Sequence, residues 1–212
     1  MGIPDTSIAA IAALFSGVAA FGSFKTAAQA NRTAEAANQT AASVAQIERD
    51  RWHQDLTPIV AFKLTHERGS VELLIRFQGP SSIGRLDRLD LTIRDDRDRT
   101  NDAVLAGGLS AEERDNTIWG PYRFRFPANG DSIGRTTAPI ALDAGEEFRV
   151  GLDPSYPHSH YGGGLQQWST DYQPSHLRLW VRCEVEGHKP WKLRADVPRP
   201  LDSTHTPWLT AH

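Results

Sequence analysis

The first fifty residues constrain this chain more than any later part. From Thr6 to Phe24 the run TSIAAIAALFSGVAAFGSF carries no charge, and beyond Lys25 an alanine-rich helical pattern continues to about Asp55. β character begins only after Thr57-Pro58. The pattern describes a β domain carried on a long N-terminal helix whose first part is able to enter a bilayer. Pro4-Asp5-Thr6-Ser7 is a good helix start, because Asp5, Thr6 or Ser7 can accept a backbone N–H as N-cap and a carboxylate suits the positive end of the helix dipole. At its other end Pro58 cannot continue a helix and biases Thr57 toward extended geometry.

Three readings of this helix stay open. The uncharged stretch extends about 28 Å as a helix, close to a hydrocarbon core of about 30 Å. Its seven large apolar residues favour insertion by roughly 2–4 kcal/mol together, and the Ser, Thr and Gly residues oppose that sum. Ala13, Ser16, Gly17 and Ala20 are small enough to let a second helix approach closely. Lys25 and Arg32 follow the stretch and Asp5 precedes it, a bias that makes a single pass with the N-terminus out and the following domain cytoplasmic. A secretory signal competes, since Ala28-Gln29-Ala30 has the small-x-small form of a cleavage site, but there is no basic n-region. The third reading needs no membrane. Ala27, Ala30, Ala34, Ala37, Ala41 and Val44 recur at alternating three- and four-residue steps, the spacing of a coiled-coil seam and of self-association.

Residues 1–56 are therefore read as the helix, with 6–24 the candidate span and 25–55 coiled-coil-like; 57–198 as the β domain; and 199–212 as a flexible tail. Within the domain the period is two. Val60, Phe62 and Leu64 form one apolar face; Val71, Leu73, Ile75 and Phe77 the next; then Leu89, Leu91 and Ile93; Tyr122, Phe124 and Phe126; Phe148, Val150 and Leu152; Leu177 to Val185; and Trp191 to Val197. At least seven strands with one buried face each predict a mainly β fold, an antiparallel β-sandwich that is Ig-like or similar. A barrel of the same strands alternates identically. The turn of a final hairpin is expected at Glu186-Gly187-His188-Lys189-Pro190.

The chain has 212 residues, a formal charge of -3 and one cysteine, Cys183. No intrachain disulfide can form, which suits a reducing compartment, and the charge balance calls for no nucleic acid. Candidate chemistry is sparse. His158-Ser159-His160, with His176, invites a metal, but Pro154, Pro157 and Gly162-Gly163-Gly164 place the pair in a loop and no carboxylate or cysteine completes the set. Asp95 to Asp102 is acidic but lacks the glycine and terminal glutamate of a calcium loop. Cys183 falls on an apolar strand face, the wrong place for a nucleophile. No catalytic, cofactor-binding or metal residue is named, and no cofactor is implied. The outward strand faces are rich in arginine, and Arg123, Arg125, Arg178, Trp180 and Arg182 are the candidate interaction surface, suited to anionic headgroups or an acidic partner. Gln166-Gln167-Trp168 is a second candidate contact.

At Trp119-Gly120-Pro121-Tyr122-Arg123-Phe124, at Gly134 to Pro139 and at Cys183 to Trp191, the chain resembles a group of uncharacterised actinobacterial proteins with an N-terminal helical or membrane segment followed by a β-rich domain. The resemblance covers roughly residues 30–197. It implies the architecture and a bacterial source and assigns no activity or site residue.

The expectation is a non-enzymatic, membrane-tethered binding or scaffold module that self-associates and meets an unknown protein partner or membrane lipid. The alternatives are a soluble, cytoplasmic structural component of a phage or secretion-type assembly whose helices bundle, and thirdly an enzyme. If residues 6–24 span a membrane, replacing both Ala13 and Ala20 with Asp releases the protein from the membrane fraction. A doubly substituted chain that stays with alkaline-washed membranes overturns the span.

Overall fold

The computed structural model describes residues 6–67, 69–95, 110–159, 161–199 and 208–212, with side chains from residue 29 onward apart from Glu67. The chain divides into two compact units, one ending at Gln54 and one beginning at Asp55.

The first unit is a single helix, α1, Thr6–Asp55. Alanine supplies the propensity, since it gives up no side-chain entropy on entering a helix. Thr33, Thr40 and Ser43 return their hydroxyls to the carbonyls four residues earlier, each at 2.9 Å. From Gln29 to Gln54 every side chain except His53 is exposed, the seam residues Ala30, Ala34, Ala37, Ala41 and Val44 included. The candidate span and the contacts expected of Ala13, Ser16, Gly17 and Ala20 fall on side chains outside the described residues. Among the described residues no helix is long and apolar enough to cross a membrane.

The second unit is mostly antiparallel β in two sheets. One is built from β1 (Ile59–Glu67), β2 (Ser70–Gly79), β4 (Tyr122–Phe124), β6 (Glu147–Pro154) and β9 (Leu209–Thr210), in the order β4-β6-β2-β1-β9. The other is built from β3 (Arg85–Ile93), β5 (Ile140–Asp143), β7 (Leu177–Glu184) and β8 (Trp191–Val197), in the order β5-β3-β7-β8. Alternation is plainest in β7 and β8; in β8 Trp191, Leu193, Ala195 and Val197 point inward between exposed polar residues, whereas β2 and β6 each bury three residues in a row. The inward residues of both sheets, among them Phe62, Phe77, Phe124, Leu91 and Val181, make one core, so the arrangement is sandwich-like.

Both lateral margins are bridged by main-chain hydrogen bonds. At one, β9 pairs with β1, the Ala211 N–H donates to the Val60 carbonyl at 2.9 Å, and His212 exchanges two bonds with Arg194 of β8, at 2.7 and 3.0 Å. At the other, the segment 130–137 lies between the sheets. The Ile93 N–H donates to the Arg135 carbonyl at 2.8 Å and the Thr137 N–H to the Leu91 carbonyl at 3.0 Å, while the Phe124 N–H donates to the Gly134 carbonyl at 2.7 Å. The sandwich-like arrangement is thus drawn part-way toward a barrel, and these bonds occupy part of each strand edge.

Several expectations need correcting. Phe126 does not continue the apolar face of β4 but is 59% exposed, because the chain turns at Arg125, whose carbonyl accepts from Asn129 and Gly130. The Gly162-Gly163-Gly164 stretch opens a helix, α3 (Gly164–Tyr172), and another short helix, α2 (Ala111–Asn116), begins at a Ser110–Glu113 capping box. The residues expected as a flexible tail include β9, so 208–212 belong to the domain; 200–207 lie outside the described residues.

Gly134 has φ +81, and a Cβ there would lie 2.5 Å from the Phe124 carbonyl oxygen. Gly145 has a similar φ, +83, with nothing within 4 Å of the same position. Gly145→Ala is expected to cost about 1 kcal/mol, from backbone strain alone. Gly134→Ala adds displacement of a β4 hydrogen bond and should cost at least about 2–3 kcal/mol. Urea unfolding of the two variants, compared with the parent, checks the difference.

Candidate interaction surface

β7 is an interior strand of the four-stranded sheet, with β3 on one side and β8 on the other, so its outward residues sit mid-face. Alternation sends Arg178, Trp180 and Arg182 outward. The register sets Trp180 opposite Thr92 of β3 and Arg194 of β8, and Arg182 opposite Asp90 and Lys192. The Arg194 guanidinium lies 4.5 Å from the centre of the Trp180 ring, and that of Arg94, just beyond β3, lies at 5.1 Å. Arg94 also donates to Asp196 at 2.9 Å, and Arg182 pairs with Glu184 along its own strand. Arg88, Arg94, Arg178, Arg182, Lys192 and Arg194 face Asp90, Glu184 and Asp196, so cations outnumber carboxylates on this face.

The energies decide what such a face can do. An exposed cation–π contact contributes about 0.5–1 kcal/mol, and an exposed ion pair about 0.2–1 kcal/mol. These contacts order the side chains without tying them up, since a partner carboxylate recovers about as much as it displaces. Trp180 stays 41% exposed, a large ring in the middle of a basic sheet face.

The five residues named from sequence do not form one patch. Arg178, Trp180 and Arg182 share this face, whereas Arg123 and the adjacent Arg125 belong to the five-stranded sheet. Arg125 is committed to the fold: its Nε donates to Asp153 at 3.0 Å, and one terminal nitrogen reaches the Ser70 hydroxyl at 3.0 Å and the Leu152 carbonyl at 3.1 Å. Arg123 lies over the Tyr156 ring, 4.3 Å from its centre.

Trp168 is not a contact residue. It is buried, its Nε1 donates to the Ser155 hydroxyl at 2.9 Å, and its ring packs on Tyr172, Tyr161 and Trp119 at 4.3, 5.0 and 5.3 Å. The i, i+4 spacing of Trp168 and Tyr172 was the available signal for a helix face. His158 packs against Trp119 at 5.1 Å, and His160 lies outside the described residues. No three metal-ligating side chains come together among the described residues. Of the acidic run, Asp95 accepts from Arg135 and from the Trp119 N–H, each at 3.1 Å; residues 96–102 lie outside the described set. Pattern places Arg94 and Arg194 among the outward-facing cations, but their convergence on Trp180 and the role of Arg135 are not legible there, because an arginine's partner in space is not written in its spacing.

Comparison of the chain with protein-family models, curated proteins and solved structures finds no match.

Cys183 points inward from β7 and is fully buried. Burial pushes its thiol from 9.0 up to about 12, and the Asp90 carboxylate adds to the rise. The thiolate is disfavoured only in the folded state. The thiol therefore contributes no loss below the unfolded value, and stability falls as pH climbs from about 9 toward about 12, where the unfolded chain ionises first. In Cys183→Ala the alkaline decline of the urea midpoint should be shallower than in the parent. Equal slopes would show that Cys183 contributes nothing to it.

Proposed function

We propose that this chain is a non-enzymatic binding module, in which α1 self-associates and the four-stranded sheet receives an acidic protein surface. The observation that carries the reading is the Arg94–Trp180–Arg194 stack: an aromatic ring in the middle of a sheet face, ordered by two cations and left 41% exposed. Interfaces concentrate their energy in such Trp and Arg anchors, and an excess of positive charge favours an acidic partner.

The helix supports self-association. An isolated helix is marginal in water, and most helical stability in proteins comes from packing an apolar face. Val44, Ile47 and Trp52 are 52%, 64% and 61% exposed. A second copy of α1 meeting the seam from Ala30 to Val44 buries part of that stretch at close helix spacing. The uncharged sequence before Lys25 supports a membrane tether for the same module, with the β domain on the cytoplasmic side.

A Glu-rich peptide is the first probe. The full chain should bind it saturably with an affinity that falls with added salt, and Trp180→Ala combined with Arg194→Gln should weaken binding by about tenfold or more. Undiminished binding by the double variant overturns the assignment of this face. Preference for phosphatidylserine vesicles over the peptide, lost in the same variant, overturns the protein partner in favour of lipid. Sedimentation of the full chain as a monomer at all concentrations overturns self-association.

A further inference from the structure

Arginine pairing on β4 leaves one cation over. Arg123 stands opposite Asp153 in the β4–β6 register, but that carboxylate is taken by Arg125 at 3.0 Å. Among the described residues the Arg123 side chain has no hydrogen bond and no ion pair; its Nε is buried without a partner, and its one ring contact is Tyr156. A buried, unmatched N–H of a charged group carries a desolvation cost, and an anion meeting the terminal nitrogens of the same guanidinium offsets part of it. The side chain is also held in place. Its Cβ and Cγ lie 3.1 and 3.4 Å from where a Cβ on Gly134 would be, so the glycine is what makes room for the stem. The Tyr156 ring then fixes the guanidinium plane.

The guanidinium borders a cavity of about 280 Å³ between the loop after β6 and the end of α2. That is about the volume nine waters occupy in the liquid. Its walls mix a few polar groups with apolar surface: Ile118, Ile133, Pro157 and the Tyr156 ring on one hand, Arg123 and Asn116 on the other. Asn116 has no hydrogen bond from its carboxamide among the described residues, so it too can donate. The hydroxyls nearby are already used: Ser155 donates to the Gly120 carbonyl, Thr117 to the Glu113 carbonyl at 2.6 Å, and Ser159 to the Glu113 carboxylate at 2.8 Å. Glu113 is the charge that selects among anions. Its carboxylate also borders the cavity, and repulsion from it grows with each further negative charge on a ligand.

We propose that this cavity is a binding site for a small monocarboxylate with an apolar body, its carboxylate on the Arg123 fork and its body against Tyr156, Ile118 and Ile133. Guanidinium and carboxylate match as a planar bidentate pair, which a phosphate dianion near Glu113 does not improve on. This site is on the other sheet from the Trp180 face, so it stands or falls separately from the binding-module reading.

The test uses the full-length protein with benzoate as the probe and inorganic phosphate as the comparison. In a titration followed by the arginine Nε–Hε nitrogen-15 resonances, the Arg123 signal should shift saturably with benzoate and far less with phosphate at equal concentration. Arg123→Gln should weaken benzoate binding, followed by the backbone amides of Tyr156 and Ile118, by about tenfold or more. Arg123→Lys keeps the charge without the fork and should recover only part of it. Absence of a saturable shift in the parent, or equal binding by Arg123→Gln, overturns the site. Phosphate binding as tight as benzoate overturns the monoanionic, apolar ligand class. The parent titration decides the matter even if a variant fails to fold.

Discussion

The guanidinium of Arg135 joins three segments of the domain that are far apart in the chain. One terminal nitrogen reaches the Ile93 carbonyl at 3.3 Å and the Asp95 carboxylate at 3.1 Å; the other reaches the Asp115 and Thr117 carbonyls at 3.2 and 2.8 Å. A single side chain thereby joins the end of β3, the last turn of α2 and the segment that bridges the two sheets. Carbonyls at a helix end have no partner inside the helix, and a cation suits the negative end of the dipole. Asp95, held by the same group, accepts the Trp119 N–H and so sets the entry to β4. Through Trp119 this hub connects to the aromatic cluster around Trp168, and through Thr117 to the wall of the Arg123 cavity.

The two arginines of the β4 strand end show how position divides like residues into unlike roles. Arg123 and Arg125 have the same parity and the same chemistry. Arg125 sits at the turn, where Asp153, the Ser70 hydroxyl and the Leu152 carbonyl converge on it. Arg123, two residues earlier, finds the opposite carboxylate already engaged and rests on Tyr156 instead. The outcome follows from geometry around a single aspartate. On the other sheet, Arg94 and Arg194 reach the same tryptophan from strands far apart in sequence, and there neither is in competition with the other.

How much of this was legible beforehand depends on the range of the forces involved. Alternation along β3, β7 and β8 is a local property, so the inward sets Leu89–Leu91–Ile93, Leu177 to Cys183 and Trp191 to Val197 could be read directly. The strand pattern broke at Phe126, where a turn rather than hydropathy decides the direction of the chain. α3 was hidden behind three glycines, since flexibility and a helix start leave the same local mark. β9 escaped because a two-residue strand has no period. Of the candidate surface, Arg178, Trp180 and Arg182 share a face by their spacing alone, whereas the separation of Arg123 and Arg125 from them is set by sheet order, which is a long-range choice. The Trp180 stack depends on register between three strands, and no single-strand pattern records it.

The placement of β1 has a mechanical meaning. α1 runs through Leu56, which is buried in the core, into a strand that is hydrogen-bonded on both of its edges, to β2 and to β9. Tension drawn along the helix is delivered to an interior strand and not to a free edge. Detaching it means breaking two ladders and extracting Leu56, Val60, Phe62 and Leu64 together. The chain enters the domain at an interior strand, so that a pull applied at Asp55 loads the core together with both ladders.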